Sequence, residues 1–306
     1  MKRLSRRALL LLLLAVTAAG LAGCAALQKV TEAGTAVAVG AGVMTKDQAE
    51  SVNKSTAAVV EATKALTPEN EYYIGRAVGA TILTSYKPYD AATSTRYINT
   101  LGQALALVSD MPQTFGGYHF LILDSTEVNA FAAPGGLIFI SRGMLRCCRS
   151  ETALAAVLAH EVGHVALRHG LSSIKKGRYT QAMATVIQES AKASGKVNPE
   201  VMNAFSGSIE DITKTLIVNG YSRGAEKDAD AAAVTIMGRI GYNPEGLVAM
   251  LKEMETHVQA GGPGFGKTHP PPEDRIALIQ KQVGPSKPVV ENAAMKARFA
   301  DSMTGI

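Results

Sequence analysis

Two histidines four residues apart, His160 and His164, constrain this chain more than any other feature of its sequence. They lie in an apolar run that begins after Ser150 and is expected to continue as one helix to about His169, where Gly170 ends it. On an α-helix this spacing offsets two side chains by about 40° and about 6 Å along the axis, so both imidazoles can reach one metal ion. The region is therefore expected to fold as a helix with a metal site on one side.

The residue after the first histidine is Glu161, which completes the pattern H-E-x-x-H. Its carboxylate lies on the same side of the predicted helix as His164 and can take a proton from a water that attacks a substrate beside the metal. A carboxylate on an otherwise apolar helix is costly to bury unless it is paired or close to a metal. The pattern therefore predicts metal-assisted hydrolysis, with Glu161 as general base and one Zn²⁺ per chain.

A catalytic zinc needs a third protein ligand, and two carboxylates further along the chain are candidates. Glu189 lies 25 residues after His164, and Glu226 lies 62 residues after it. Glu226 and Asp230 fall four apart on a predicted helix, so one can bind the metal while the other accepts a hydrogen bond from a ligand imidazole. His169 is expected about 140° around the helix from His164, which makes it a poor ligand.

The N-terminus has the pattern of an export signal. Four basic residues precede an apolar run over 8–19, which is short for a membrane span of about 20 residues. The sequence Leu21-Ala22-Gly23-Cys24 follows and resembles the lipobox at which bacterial lipoproteins are cut and acylated; an ordinary signal peptide with an unrelated cysteine is the alternative. We expect a lipid-anchored envelope protein, and Ala25 after the cysteine favours the outer membrane facing the periplasm.

Four segments are expected along the chain: a signal peptide over 1–23, a lipid-anchored tether over 24–66, a domain with the metal motif over 67–283 and a weakly structured tail over 284–306. Most of the domain has helical periodicity. A short strand is predicted over Tyr118–Leu123, and Val128–Ile140 has the pattern of strand, turn and strand. The expected fold is α+β and mostly helical, with a small sheet packed beside the motif helix.

The charge distribution argues against nucleic acid as a partner. The formal net charge is +5, but four of the 31 basic residues lie within the first seven positions. The rest of the chain has 27 basic and 26 acidic side chains, so it exerts no general attraction on phosphate backbones.

The motifs together resemble the HtpX/CAAX-prenyl-protease superfamily of zinc metallopeptidases, peptidase family M48, and within it the soluble periplasmic lipoprotein branch. The H-E-x-x-H pattern followed by Glu226-x-x-Ala229-Asp230 carries the resemblance. Four further segments support it: Glu71–Arg76, Asn129–Gly136, Leu154–Gly163 and His269–Pro271. The resemblance implies a gluzincin-type metallopeptidase domain, with His160, His164 and Glu226 as zinc ligands, Glu161 as general base and Asp230 behind a ligand.

The same resemblance implies a zinc metalloendopeptidase that hydrolyses unfolded or misassembled envelope proteins in protein quality control. The strand with Asn129, Ala130 and Phe131 can offer backbone hydrogen bonds to an extended substrate, although ordinary core packing also explains it. The alternative is a periplasmic chaperone or assembly factor that retains a protease fold, and the intact Glu161 argues against an inactive enzyme.

His269 lies between a glycine-rich loop and a run of prolines. If this segment folds over the cleft, as the family's His-Pro segment suggests, His269 can occupy the fourth position at zinc in a resting state. Alternatively, it can donate a hydrogen bond to the tetrahedral intermediate, with Arg275 as a second donor, or it can simply pack locally. We favour the resting-state ligand, because an exported protease on a crowded membrane needs restraint.

Overall fold

The computed structural model describes residues 24–42, 44–47, 49, 50, 53, 67–173, 207, 209–257, 268–284 and 288–306. The chain divides into two compact units, one over 1–65 and 176–205 and the other over 66–175 and 206–306. No helix in the described ranges is both long enough and apolar enough to cross a membrane.

The first unit contains helix α1 (Cys24–Gly40), which lies where the sequence predicted a tether. The hydroxyl of Thr35 donates a hydrogen bond of 2.9 Å to Oδ1 of Asn53 in the same unit. The alanines in this segment have high helix propensity, which accounts for a helix without a strong apolar face. The sequence also suggests a helical turn or two near Asp47–Lys64, a stretch that lies mostly outside the described residues.

The second unit contains the other described elements, and most of them are helices. In chain order they are α2 (Pro68–Ser85), α3 (Ala92–Leu107), β1 (His119–Leu123), β2 (Ala130–Ala133), β3 (Leu137–Ser141), α4 (Arg142–Cys147), α5 (Glu151–Ala166), α6 (His169–Ser172), a π-helical segment (Thr215–Asn219), α7 (Arg223–Ile240), α8 (Glu245–His257), α9 (Pro272–Val283) and α10 (Ala293–Met303). The predicted α+β class with a small sheet is confirmed.

Short polar residues begin the helices that carry the motifs. Thr67, Ser150 and Ser222 precede α2, α5 and α7, and each side chain accepts a hydrogen bond from the backbone N–H three residues ahead. These contacts satisfy donors that have no partner within the helix, which is why such residues favour helix starts. Gly241 ends α7 in the left-handed conformation, which glycine adopts readily.

The three strands form one sheet in the order β1-β3-β2. Strand β1 runs parallel to β3, and β2 runs antiparallel to it after the tight turn Pro134–Gly136. Gly135 has φ 76° and lies so close to α2 that an added Cβ would be 2.8 Å from the Cα of Tyr72. The predicted strand, turn and strand are confirmed, and β2 forms one edge of the sheet.

Helix α5 is the centre of the hydrophobic core. All its residues from Glu151 to Val165 are buried. It packs against α3, α7, α8 and strand β2. A helix that is enclosed on every side cannot turn its histidines toward bulk water, so the metal motif lies inside the protein.

Two segments differ from the expectation. Helix α5 ends at Ala166 rather than near His169, and Arg168 adopts the left-handed conformation with φ 54°. The expected weakly structured tail contains α10, which begins at the capping residue Asn292. Arg298 of α10 donates hydrogen bonds to both carboxylate oxygens of buried Glu151, so a tertiary ion pair holds this helix in addition to its local cap.

Candidate metal centre

Helix α5 presents His160, Glu161 and His164 to the interior, and each is at most 3% exposed. The Nε2 atoms of His160 and His164 lie 3.0 Å apart. Because the residues are four apart on a helix, both rings reach the same point from one side. The geometry predicted from the motif is therefore present.

Helix α7 brings Glu226 to this point. Its Oε2 atom lies 3.6 Å from His160 Nε2, and its Oε1 atom lies 3.4 Å from His164 Nε2. The two helices approach closely at Gly163, where an added Cβ would be 3.1 Å from the carbonyl oxygen of Ala229. Small residues at this crossing therefore allow a carboxylate on α7 to reach the histidines on α5.

The donor set fits a metal ion. Glu226 is 1% exposed, and neither of its carboxylate oxygens has a hydrogen-bond partner within the described part of the chain. A buried carboxylate without hydrogen bonds is costly unless a cation compensates it. Two imidazole nitrogens and one carboxylate oxygen form a ligand set that zinc accepts. Together with His269, these residues place four ligand atoms within 4.8 Å of one another.

Asp230, one turn after Glu226, lies behind His160 as the sequence predicted for one of the two carboxylates. Its Oδ1 atom lies 2.9 Å from His160 Nδ1. Arg275 of α9 donates two hydrogen bonds to the same carboxylate, of 2.9 Å from Nε and 2.6 Å from Nη2. The arginine therefore fixes the aspartate, and the aspartate orients the ring so that Nε2 faces the centre.

The comparison with protein families agrees with the metal centre that the geometry indicates. The model of Peptidase family M48 matches residues 92–283, which include every residue of this centre. The chain belongs to peptidase family M48.

Relatives within this family carry names that describe proteases. The chain is 26% identical over 213 residues to the "Beta-barrel assembly-enhancing protease" of Escherichia coli strain K12, an alignment that covers 69% of this chain and 43% of the relative. It is 29% identical to the "Mitochondrial metalloendopeptidase OMA1" of Schizosaccharomyces pombe, which covers 66% of this chain and 56% of the relative. It is 24% identical to "Metalloprotease YcaL" of E. coli K12, in an alignment that covers 64% of this chain and 74% of the relative. The chain thus spans less than half of the first relative.

Membership in family M48 confirms the resemblance and the predicted metalloprotease class. Within the M48 domain, Glu161 follows the first histidine and is 2% exposed. Burial raises the pKa of its carboxyl to about 7; Glu226 acts in the same direction, while His160 and Arg275 oppose the change. A carboxyl with a pKa near neutrality is suited to accept a proton and release it again.

The two imidazoles on α5 differ in basicity. Burial and Arg275 lower the pKa of His160, but its contacts with Asp230 and Glu226 outweigh them and raise it to about 9. Burial lowers the pKa of His164 to about 4. The difference follows from their neighbours, because a carboxylate lies behind His160 whereas a neutral ring lies behind His164.

His269 lies at the centre with the three expected ligands. Its Nε2 atom is 3.7 Å from Glu226 Oε1, and its side chain is 5% exposed. The preceding residue, Thr268, packs against Gly220 so closely that an added Cβ there would lie 1.9 Å from the Thr268 carbonyl oxygen. Burial lowers the pKa of His269 to about 3, against the opposing effect of Glu226.

The structure also shows two neighbours of His164 that the sequence did not predict. His169 Nδ1 lies 2.8 Å from His164 Nδ1, and the ring of Tyr221 stacks on His164 with centroids 4.3 Å apart. A continuous helix would have carried His169 away from this point. The left-handed turn at Arg168 returns it, and no local sequence signal marks that turn.

Strand β2 contains Ala130 and Phe131 of the predicted substrate strand, and Asn129 directly precedes it. The N–H of Ser141 donates to the carbonyl of Asn129, so the backbone of Phe131 also pairs with β3. Ala130 and Ala132 turn their polar groups to the opposite edge, which no strand among the described residues covers and which is called the free edge below. At that edge the side chain of Asn129 accepts from the N–H of Ala130. The hydroxyl of Tyr221 donates a hydrogen bond of 3.3 Å to the carbonyl of Ala132.

Two earlier expectations fall outside these observations. Glu189, the alternative third ligand, and residues 1–23 lie outside the described residues. Cys24 is the first residue of α1.

Proposed function

We propose that this M48 member is a zinc-dependent endopeptidase, anchored in the bacterial envelope through acylated Cys24, that cleaves unfolded or misassembled envelope proteins. The observation that carries the proposal is the buried convergence of His160, His164 and Glu226 beside Glu161. The name of the Escherichia coli relative, which refers to β-barrel assembly, supports an envelope substrate.

In this proposal His160 and His164 would hold zinc through Nε2, and Glu226 would hold it through its carboxylate. When bound, the metal would polarise the scissile carbonyl and make a nearby water more acidic. Glu161 takes the proton from that water and passes it to the leaving amine, as the raised pKa of its carboxyl permits. Asp230 and Arg275 keep the His160 ring in the orientation that this arrangement requires.

The free edge of β2 is the proposed site for the substrate backbone. An extended peptide that adds to this edge would replace two internal contacts, those of Asn129 with Ala130 and of Tyr221 with Ala132. Such strand addition reads backbone groups more than side chains, which suits substrates that share only the unfolded state. Folded proteins have few free strands to offer, so they would escape cleavage.

We assign His269 the resting-state role, as a fourth ligand that excludes water. Its place within the group of four ligand atoms supports this role over local packing alone. The competing role for Arg275, donation to the tetrahedral intermediate, is less favoured, because two of its nitrogens already bond to Asp230. Opening of the 268–269 segment would then expose the centre to a substrate.

The decisive experiment uses the full chain purified in a mild detergent. Bound zinc is quantified, and casein cleavage is compared between the wild type and Glu161→Gln. We expect one zinc in both proteins and a loss of cleavage by about 10²- to 10⁴-fold in the variant, because the general base is removed. Equal, chelator-insensitive cleavage in both proteins would contradict the mechanism, and zinc with no cleavage in the wild type would favour an assembly factor.

Anchoring is tested separately with Cys24→Ala. The variant should lose palmitate labelling and leave the membrane fraction, while its casein cleavage after purification stays that of the wild type. A wild type that never labels with palmitate, together with a variant that still sediments with membranes, would rule out the lipoprotein hypothesis.

A further inference from the structure

His164, the second proposed ligand of the centre, is held by a buried contact with another histidine ring. His164 Nδ1 and His169 Nδ1 lie 2.8 Å apart, and the residues are 1% and 7% exposed. A distance of this length between two ring nitrogens requires one N–H and one lone pair. The contact therefore leaves two assignments, in which either His164 or His169 carries its hydrogen on Nδ1.

The backbone after α5 creates this contact. The helix ends at Ala166, Arg168 turns into the left-handed region with φ 54°, and α6 begins at His169. Such a φ is uncommon for a residue with a side chain and is held by surrounding contacts. Here the Nε of Arg168 lies 3.4 Å from Oε2 of buried Glu71 on α2, which ties the turn to the rest of the domain.

Only one assignment of the shared hydrogen leaves His164 able to bind a metal through Nε2. In that assignment Nδ1 of His164 carries the hydrogen and Nδ1 of His169 accepts it. The reverse assignment would leave the hydrogen of His164 on Nε2 and block the atom that faces Glu226. We therefore propose that His169 is a positioning residue, which sets the tautomer and the ring orientation of His164 for metal binding; this inference rests on the proposed ligand role of His164.

The arrangement makes His169 the counterpart of Asp230. His160 donates through Nδ1 to a carboxylate, whereas His164 donates through Nδ1 to a neutral imidazole. Partners of this kind typically contribute 10- to 100-fold to metal affinity. Tyr221 stacks on one face of the His164 ring, which further restricts rotation of the ring.

Three substitutions of one residue separate hydrogen bonding from packing. His169→Asn keeps a polar acceptor close to the position of Nδ1. His169→Gln moves the polar atoms to the position of Nε2, and His169→Leu fills the space without any acceptor. The full chain is purified in detergent for each variant, and its thermal unfolding without metal is recorded so that a folding defect is visible.

Zinc affinity is measured by competition with a chromogenic chelator. We expect His169→Leu and His169→Gln to weaken zinc binding by about 10- to 100-fold, while His169→Asn stays close to the wild type. An equal loss in all three variants, or no loss in any, would overturn the proposal, because the first indicates packing alone and the second indicates no role.

A second readout needs neither zinc nor peptidase activity. Long-range ¹H–¹⁵N spectra of ¹⁵N-histidine-labelled, metal-free protein at pH 8 report which ring nitrogen carries the hydrogen. We expect His164 with its hydrogen on Nδ1 in the wild type and in His169→Asn, and a loss of this preference in His169→Leu. A wild-type hydrogen on Nε2 of His164 would overturn the inference. Absence of casein cleavage with this tautomer and zinc binding intact would instead contradict only the proposed peptidase function.

Discussion

The two histidines of one motif are held in opposite ways. His160 lies against a charged pair, Asp230 and Arg275, in which all three groups contact one another. His164 lies between two neutral rings, His169 at its Nδ1 and Tyr221 on its face. The carboxylates beside His160 raise its pKa to about 9. Burial is the largest influence on His164 and lowers its pKa to about 4. Identical ligands on one helix thus acquire different basicity from their surroundings.

Glu226 joins the two sides, because it is the only proposed ligand on α7 and lies near both Nε2 atoms. Substitution of Glu226 should therefore have the largest effect on zinc binding. We expect Glu226→Gln to weaken zinc binding by more than about 100-fold, beyond the usual cost of losing a partner that only orients a ligand. Glu189→Gln is the control and should keep the zinc of the wild type. The reverse order, measured by zinc content after gel filtration, would exclude Glu226 as the third ligand.

The charged side is tested with Asp230→Asn. An amide still accepts from His160, but it no longer compensates the buried guanidinium of Arg275. We expect partial zinc retention and a loss of casein cleavage by about 10- to 100-fold. If Asp230→Asn weakens zinc binding less than His169→Leu does, the charged neighbours of His160 do not contribute more to the site than the neutral neighbours of His164.

His269 contacts both sides, with ring centroids 5.7 Å from His160 and 6.3 Å from His164. As a resting-state ligand it reduces the fraction of open enzyme, and its removal by His269→Ala should raise casein cleavage. If the closed state is populated to about 90%, the increase is about tenfold. A fall in kcat by about 10²-fold would instead identify a donor to the tetrahedral intermediate. Unchanged rate and zinc affinity would indicate local packing.

Removal of the Tyr221 ring, which stacks on His164, should have the smallest effect on zinc affinity. Tyr221→Leu loses an aromatic contact worth about 0.5–1.5 kcal/mol, which corresponds to about a two- to tenfold loss of zinc affinity. Tyr221→Phe keeps the ring and should keep the affinity, although it frees the carbonyl of Ala132. A KM that falls in Tyr221→Phe would support the proposed substrate edge on β2. Equal zinc affinity for Phe and Leu at this position would show that stacking contributes nothing.

The sequence determined the elements that depend on short-range patterns. The spacing of His160 and His164 defined a metal site on a helix, because an α-helix repeats every 3.6 residues whatever surrounds it. Ser150 marked a helix start, because a hydroxyl at that position satisfies a nearby N–H. The pairing of Glu226 with Asp230 on one face followed from the same periodicity.

Tertiary structure decided what no local pattern encodes. The contact of His169 with His164 depends on a left-handed turn at Arg168, which the ion pair with Glu71 on another helix supports. The helix in the C-terminal tail depends on the ion pair between Arg298 and Glu151, residues that are 147 positions apart. The place of His269 depends on how closely its segment packs on Gly220. Periodicity predicts which face a side chain occupies, but only packing between distant segments decides which groups meet there, because their contact energies exceed the small preferences of the local chain.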